Sequence, residues 1–213
     1  MSSGRGGSRF RPLRLALTFA GAAMTACSGD TPVDPPIDPS FARCTQEFGD
    51  PALSPYVLPF PAGHSYELFQ GKCPPNPAWG HHGWLAYDFD LAIGDTILAS
   101  RAGRVSFVEN RWPNSDRVCG HENAVWITHA DGTVLAYLHL TTNGALVRVG
   151  DQVQAGEVIG LSGDSGCSSG PHLHVGLFRN GSNFDKENSV PLNYHNADGP
   201  VDEKHALIQR SEE

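Results

Sequence analysis

Two histidines, His172 and His174, stand two apart in the segment Ser169-Gly170-Pro171-His172-Leu173-His174-Val175. The segment reads as a β-strand. In a strand, residues i and i+2 project from the same face. Both imidazoles then point one way, as half of a metal site or as one ligand beside a proton carrier. A lone H-x-H is more often a pair of hydrogen-bonded surface histidines, so the chemistry depends on partners. Two other stretches supply them. Gly80 to Asp90 (GHHGWLAYDFD) holds His81, His82, Asp88 and Asp90, and Tyr137-Leu138-His139 holds a further imidazole.

Such groups need a rigid frame. The chain has 213 residues, with 24 glycines and 16 prolines, and shows no long helical periodicity. Length and composition fit one turn-rich β domain with extensions. Short apolar runs are predicted as strands at Thr96–Ala99, Gly103–Val108, Ala124–His129, Thr133–His139, Leu146–Val149, Val158–Leu161 and His172–Phe178, with one more at Val190–Tyr194. The first two are read as joined by a tight turn. Ala130-Asp131-Gly132 reads as a hairpin turn. The expected fold is all-β and mostly antiparallel, a β-sandwich or open barrel-like sheet.

The ends read differently. Residues 1–26 pair a basic start (Arg5, Arg9, Arg11, Arg14) with the short apolar run LALTFAGAAMTA, as an export signal does. Met24-Thr25-Ala26-Cys27 resembles a bacterial lipobox, which predicts lipid on Cys27 and membrane anchoring. Residues 27–40 are a Pro/Asp-rich tether, 41–79 a lead-in that packs on the domain, 80–197 the main domain, and 198–213 a polar tail, frayed or weakly helical. Of 15 basic residues, the four N-terminal arginines leave 11 against 23 acidic ones, a balance of −12. That argues against nucleic acid as a partner. With Cys27 set aside, Cys44, Cys73, Cys119 and Cys167 remain. An even number in an exported chain predicts disulfides. Order along the chain favours Cys44–Cys73 and Cys119–Cys167 among three possible pairings. No C-x-x-C spacing supports zinc held by these cysteines.

The histidine stretches occur in order with Val149-Gly150-Asp151-Gln152-Val153-Gln154-Ala155-Gly156-Glu157-Val158-Ile159-Gly160, then Gly163-Asp164-Ser165-Gly166, then Gly170-Pro171-His172-Leu173-His174. Together they resemble the lysostaphin/LytM-type zinc metalloendopeptidases, over roughly Gly80 to Phe178. The resemblance implies a groove-bearing antiparallel β fold, one Zn²⁺ per chain, and hydrolysis of peptide crosslinks in bacterial peptidoglycan by a metal-activated water. It implies the metal ligands His81, Asp88 and His174. His82 competes with His81, because the family's H-x-x-x-D spacing places Trp84, not a histidine, four before Asp88. Asp90 is the weaker carboxylate. His139 and His172 match the family's non-ligand histidines, one a base and the other an oxyanion donor, in either order. His129 is read as a surface strand-end residue, and His64, His121, His195 and His205 as structural or exposed. Cys119 and Cys167 fall in loops that flank the groove in relatives. The implied protein is a monomer in the exported cell envelope, with peptidoglycan peptides as partners. A silent regulator or wall-binding module that activates another hydrolase is the alternative.

Overall fold

The computed structural model describes residues 48–71, 81, 85–180, 186–197 and 206–208. Its described strands are β1 (Ser65–Gln70), β2 (Ala86–Phe89), β3 (Thr96–Leu98), β4 (Gly103–Glu109), β5 (Ala124–Thr128), β6 (Val134–Leu138), β7 (Leu140–Ala145), β8 (Gln152–Val153), β9 (Val158–Ser162), β10 (Leu173–Phe178) and β11 (Ala206–Ile208). Two short 3-10 turns, Pro51–Leu53 and Lys186–Asn188, are the only helical elements among the described residues. Eight strands form one sheet in the order β11-β1-β2-β10-β6-β5-β4-β8, and three form a second, β3-β9-β7. The pairings are antiparallel and the large sheet stays open. This is the expected all-β architecture.

Period-2 alternation separates core from site. On β10, Leu173, Val175 and Leu177 enter the core, which turns His174 to the other face. On β2, Tyr87 and Phe89 do the same and turn Asp88 out of the core. Leu135 and Tyr137 hold β6 in place from the core side. The second sheet contributes Ile97, Leu140 and Ile159 to the same cluster. The lead-in adds Leu58, Phe60 and Leu68, none exposed, so these residues are built into the core.

Several expected elements fall elsewhere. Leu146–Val149 is not a strand; Leu146 and Val149 are exposed, and β7 precedes them. Its sequence, LTTNGA, lacks the β-branched and aromatic bias that marks strands. It pairs because glycines allow close approach: a Cβ on Gly160 would sit 2.8 Å from Leu140 Cδ2. Val190–Tyr194 is not a strand. Pro191 has no N–H to give a ladder, and the segment is held by the buried Leu192 and Tyr194 and the Val190–Leu177 bond. The polar tail, expected frayed or helical, supplies β11, which pairs with β1 through Ser65↔Ile208 and covers that sheet edge. β3 and β4 do not pair with each other; the turn between them carries the chain from the small sheet to the large one. The Asp131–Gly132 hairpin joins β5 and β6 as expected, with Gly132 at φ 82.

His129 is buried, contrary to the surface reading. The Tyr56 ring from the lead-in meets it edge-on at 5.5 Å, and its Nδ1–H donates to the Ala102 carbonyl at 2.9 Å. Burial lowers its pKa, against the opposing pull of that hydrogen bond. The unfolded chain therefore takes up a proton near pH ~6.5 that the folded chain refuses until lower pH. This contribution to stability is whole above ~6.5 and is lost as the pH falls below it. The thermal midpoint of His129→Asn is expected to fall less between pH ~6.5 and ~5 than that of the unsubstituted chain. Equal slopes would show that His129 titrates in place without cost.

Candidate metal centre

The register of β2 against β10 sets His174 directly opposite Asp88, and β6 places Leu138 on the other side of His174. Asp88 and His174, 86 positions apart in sequence, thus close to one cross-strand pair. His174 Nδ1–H donates to Asp88 Oδ1 at 2.8 Å. His81 comes in ahead of β2 with Nε2 at 3.0 Å from the other carboxylate oxygen, Oδ2. The rings of His81 and His174 meet edge to face, with centroids 4.9 Å apart.

The remaining two histidines line the same carboxylate. His172 lies one residue before β10, bridged to Gly163, with Nε2 at 3.8 Å from Asp88 Oδ1. His139 separates β6 from β7 at φ 65, a left-handed conformation rare for a residue with a Cβ. That kink moves the chain from the large sheet to the small one and projects the imidazole beside His172, with centroids 4.4 Å apart. Each has its Nδ1 tied to a backbone carbonyl: His139 to Ser165 at 2.8 Å, His172 to Gly170 at 2.7 Å. A carbonyl can only accept, so each Nδ1 carries the proton, and Nε2 is the basic nitrogen of the neutral ring.

The electrostatics set each group's charge. Burial pushes His139, His172 and His174 below the ordinary histidine value, so their rings are neutral near pH 7. For Asp88, burial alone would raise the pKa. The neighbouring His81 and the hydrogen bond from His174 outweigh it and hold the carboxyl well below its usual range. An ionised Asp88 carboxylate beside a neutral His174 ring is the protonation state that metal binding requires of these two groups.

The donor set fits a divalent cation. One ligand atom from each of His81, Asp88 and His174 lies within 4.8 Å of the others. Among the described residues, both ring nitrogens of His81 are buried without a hydrogen-bond partner, and even Nε2 beside Asp88 lacks hydrogen-bond geometry. Two nitrogens and one oxygen suit zinc, which in catalytic sites takes three protein ligands. Asp90 is exposed, and its N–H is spent on the Glu67 carbonyl. His82, the alternative to His81, lies outside the described residues, as do Cys27 and the Cys44–Cys73 pair.

A braced loop borders His139. Cys119 and Cys167 form the expected disulfide, with Cα atoms 4.3 Å apart. Beside it, Arg117 donates to the Asp164 carboxylate at 2.6 Å and to the Asp164 carbonyl at 2.7 Å. His121 stacks on Trp112 at 3.6 Å and pairs with Asp116, so it is structural, and Arg111 covers the same indole. The sequence reading did not single out Arg117, Trp112, Asn123 or Ser165. Only the quoted Gly163–Gly166 turn pointed near them. The disulfide closes a span of 48 residues. Loop-closure entropy over such a span amounts to roughly 4 kcal/mol, and typical measured losses are ~2–4 kcal/mol. The Cys119→Ala/Cys167→Ala protein is expected to lose that much stability in urea titration; an unchanged midpoint would contradict a closed bridge.

Residues 82–186 match the Peptidase family M23. They form an M23 domain. The match takes in Asp88, His139, His172 and His174 and starts one residue after His81. Lysostaphin of Staphylococcus simulans is 35% identical over 117 residues, 53% of this chain and 22% of that protein. Peptidoglycan DD-endopeptidase ShyA of Vibrio cholerae is 35% identical over 111 residues, 49% of this chain and 24% of that protein. The chain thus covers less than a quarter of the length of either relative. The crystallised catalytic domain of lysostaphin superposes with a TM-score of 0.42 at 28% identity, covering 60% of this chain and 87% of that one.

Proposed function

We propose that this chain is a zinc-dependent endopeptidase that cleaves peptide crosslinks of bacterial peptidoglycan. The observation that carries the reading is the division of labour around Asp88. Three groups can share one ion, and two more histidines have Nδ1 fixed on carbonyls, so their basic nitrogen is Nε2. His81, Asp88 and His174 hold one Zn²⁺. When bound, the ion supplies Lewis acidity and makes hydroxide available near neutral pH. The Asp88 charge offsets part of the cation and leaves a net positive site for a developing oxyanion. At Nε2, one of His139 and His172 takes a proton from the attacking water and returns it to the leaving amine as the peptide C–N bond breaks; the other donates a hydrogen bond to the oxyanion, for which its Nε2 must carry a proton in that step, as the imidazolium. For the ring that acts as base, the lowered pKa keeps Nε2 free to accept at neutral pH.

The relatives support the proposed substrate class: one of them is named a peptidoglycan DD-endopeptidase. Export, lipid on Cys27, a monomeric state and a place in the cell envelope complete the proposal. The test uses the purified chain on dye-labelled peptidoglycan, with zinc measured by elemental analysis. One zinc per chain, dye release, arrest by chelator and recovery with Zn²⁺ are expected. One zinc per chain without turnover would replace the enzyme with a regulator that activates another hydrolase.

A further inference from the structure

Asn123 and Ser165 have no exposed surface, and neither enters the chemistry proposed above. Asn123 ends the braced loop just before β5. Ser165 lies in the turn that leads toward His172. The Asn123 amide is saturated. Its Oδ1 accepts from the Trp112 N–H at 2.8 Å, and its Nδ2 donates to the carbonyls of Trp112, Leu140 and Thr141. Its backbone N–H donates to Ser165 Oγ at 3.0 Å, and that hydroxyl donates to the Leu140 carbonyl at 2.8 Å. Ser165 in turn offers its own carbonyl to His139 Nδ1–H. One network therefore grips the residue after His139 and the acceptor of its imidazole at the same time. Between those two grips, His139 holds φ 65. A residue with a Cβ keeps such a backbone only where its surroundings impose it.

We infer that Asn123 and Ser165 are positioning residues for His139: they clamp the Leu140 backbone to the Ser165 turn, so that the imidazole is held as the Nδ1–H tautomer with Nε2 left basic. The Ser165 hydroxyl is the joint of the clamp. Without it, the Asn123 N–H loses its buried partner, the Leu140 carbonyl keeps only Asn123 Nδ2, and the Ser165 end of the turn is no longer tied to Leu140 beyond the neighbouring Leu140–Ser162 pairing. The imidazole could then take the other tautomer, in which Nε2 bears the proton and cannot accept one. The use made of the tautomer rests on the peptidase reading; the clamp itself does not.

Nitrogen-15 spectra of the histidine rings in the full, metal-free chain test it. Without substitution, His139 is expected as a single species protonated at Nδ1. In Ser165→Ala the signal is expected to move toward a mixture of tautomers, and Ser165→Thr, which keeps the hydroxyl, is expected to restore it. In zinc-loaded protein, Ser165→Ala is expected to lower kcat by about 10- to 100-fold, with KM and zinc content unchanged. A single Nδ1–H species that persists in both Ser165→Ala and Asn123→Ala would overturn the inference. So would Nε2–H as the main species in the unsubstituted chain, which decides the matter even if the variants fail to fold. The expected spectra in a chain without turnover would support the clamp and overturn the peptidase reading instead.

Discussion

Asp88→Asn is expected to empty the metal centre while leaving the fold intact. The substitution keeps the shape of the side chain and the oxygen that accepts from His174 Nδ1–H at 2.8 Å. It removes the only formal charge among the proposed ligands. Asp88 sits between His81 and His174 with only 4% of its surface exposed, so water cannot replace the lost charge. Outer-shell partners of a metal typically cost 10–100-fold in affinity when removed. A direct ligand that carries the countercharge is expected to cost more than the top of that range. Dialysed Asp88→Asn should therefore contain no stoichiometric zinc and release no dye from peptidoglycan. Its circular dichroism should match that of the unsubstituted chain. One zinc per chain in this variant would remove Asp88 from the ligand set and redirect attention to Asp90.

The histidines and carboxylate were legible in the sequence to different degrees. His174 is assigned a face by strand alternation, while Asp88 comes from the family resemblance, which joins the two. Their direct opposition across β2 and β10 is a matter of register, which local pattern does not encode. His81 is seven residues from Asp88, and no motif spacing predicted that its Nε2 would lie 3.0 Å from that carboxylate. His139 was found through Tyr137-Leu138-His139, but its left-handed φ was invisible, because nothing in a valine- and leucine-rich run announces a reversal. β7 was missed for the opposite reason: its residues are polar, and its pairing depends on glycines in β9 and the following turn. His129 misled because a residue beside an Asp-Gly turn is normally at the surface. Here Tyr56, some seventy residues earlier, folds over it. The clamp on His139 consists of bonds between side chains and distant carbonyls, and these follow only from the assembled fold.

Removing either His139 or His172 is expected to separate catalysis from metal binding. Neither ring belongs to the His81–Asp88–His174 group, although His172 Nε2 comes within 3.8 Å of Asp88. His139→Ala and His172→Ala should both keep one zinc per chain. General acid–base catalysis by a positioned side chain contributes about 10²–10⁴-fold, so kcat should fall by that factor in each. KM should change little, because neither ring is asked to bind substrate in the ground state. If one histidine accepts the proton of water while the other steadies the oxyanion, they serve the same step. The double variant should then lose far less than the product of the two single losses, as groups that act as a unit do. The rings stand 4.4 Å apart, close enough for such coupling. Loss of zinc from His172→Ala would mean instead that the 3.8 Å approach to Asp88 marks a ligand, and the proton-transfer role would pass to His139 alone.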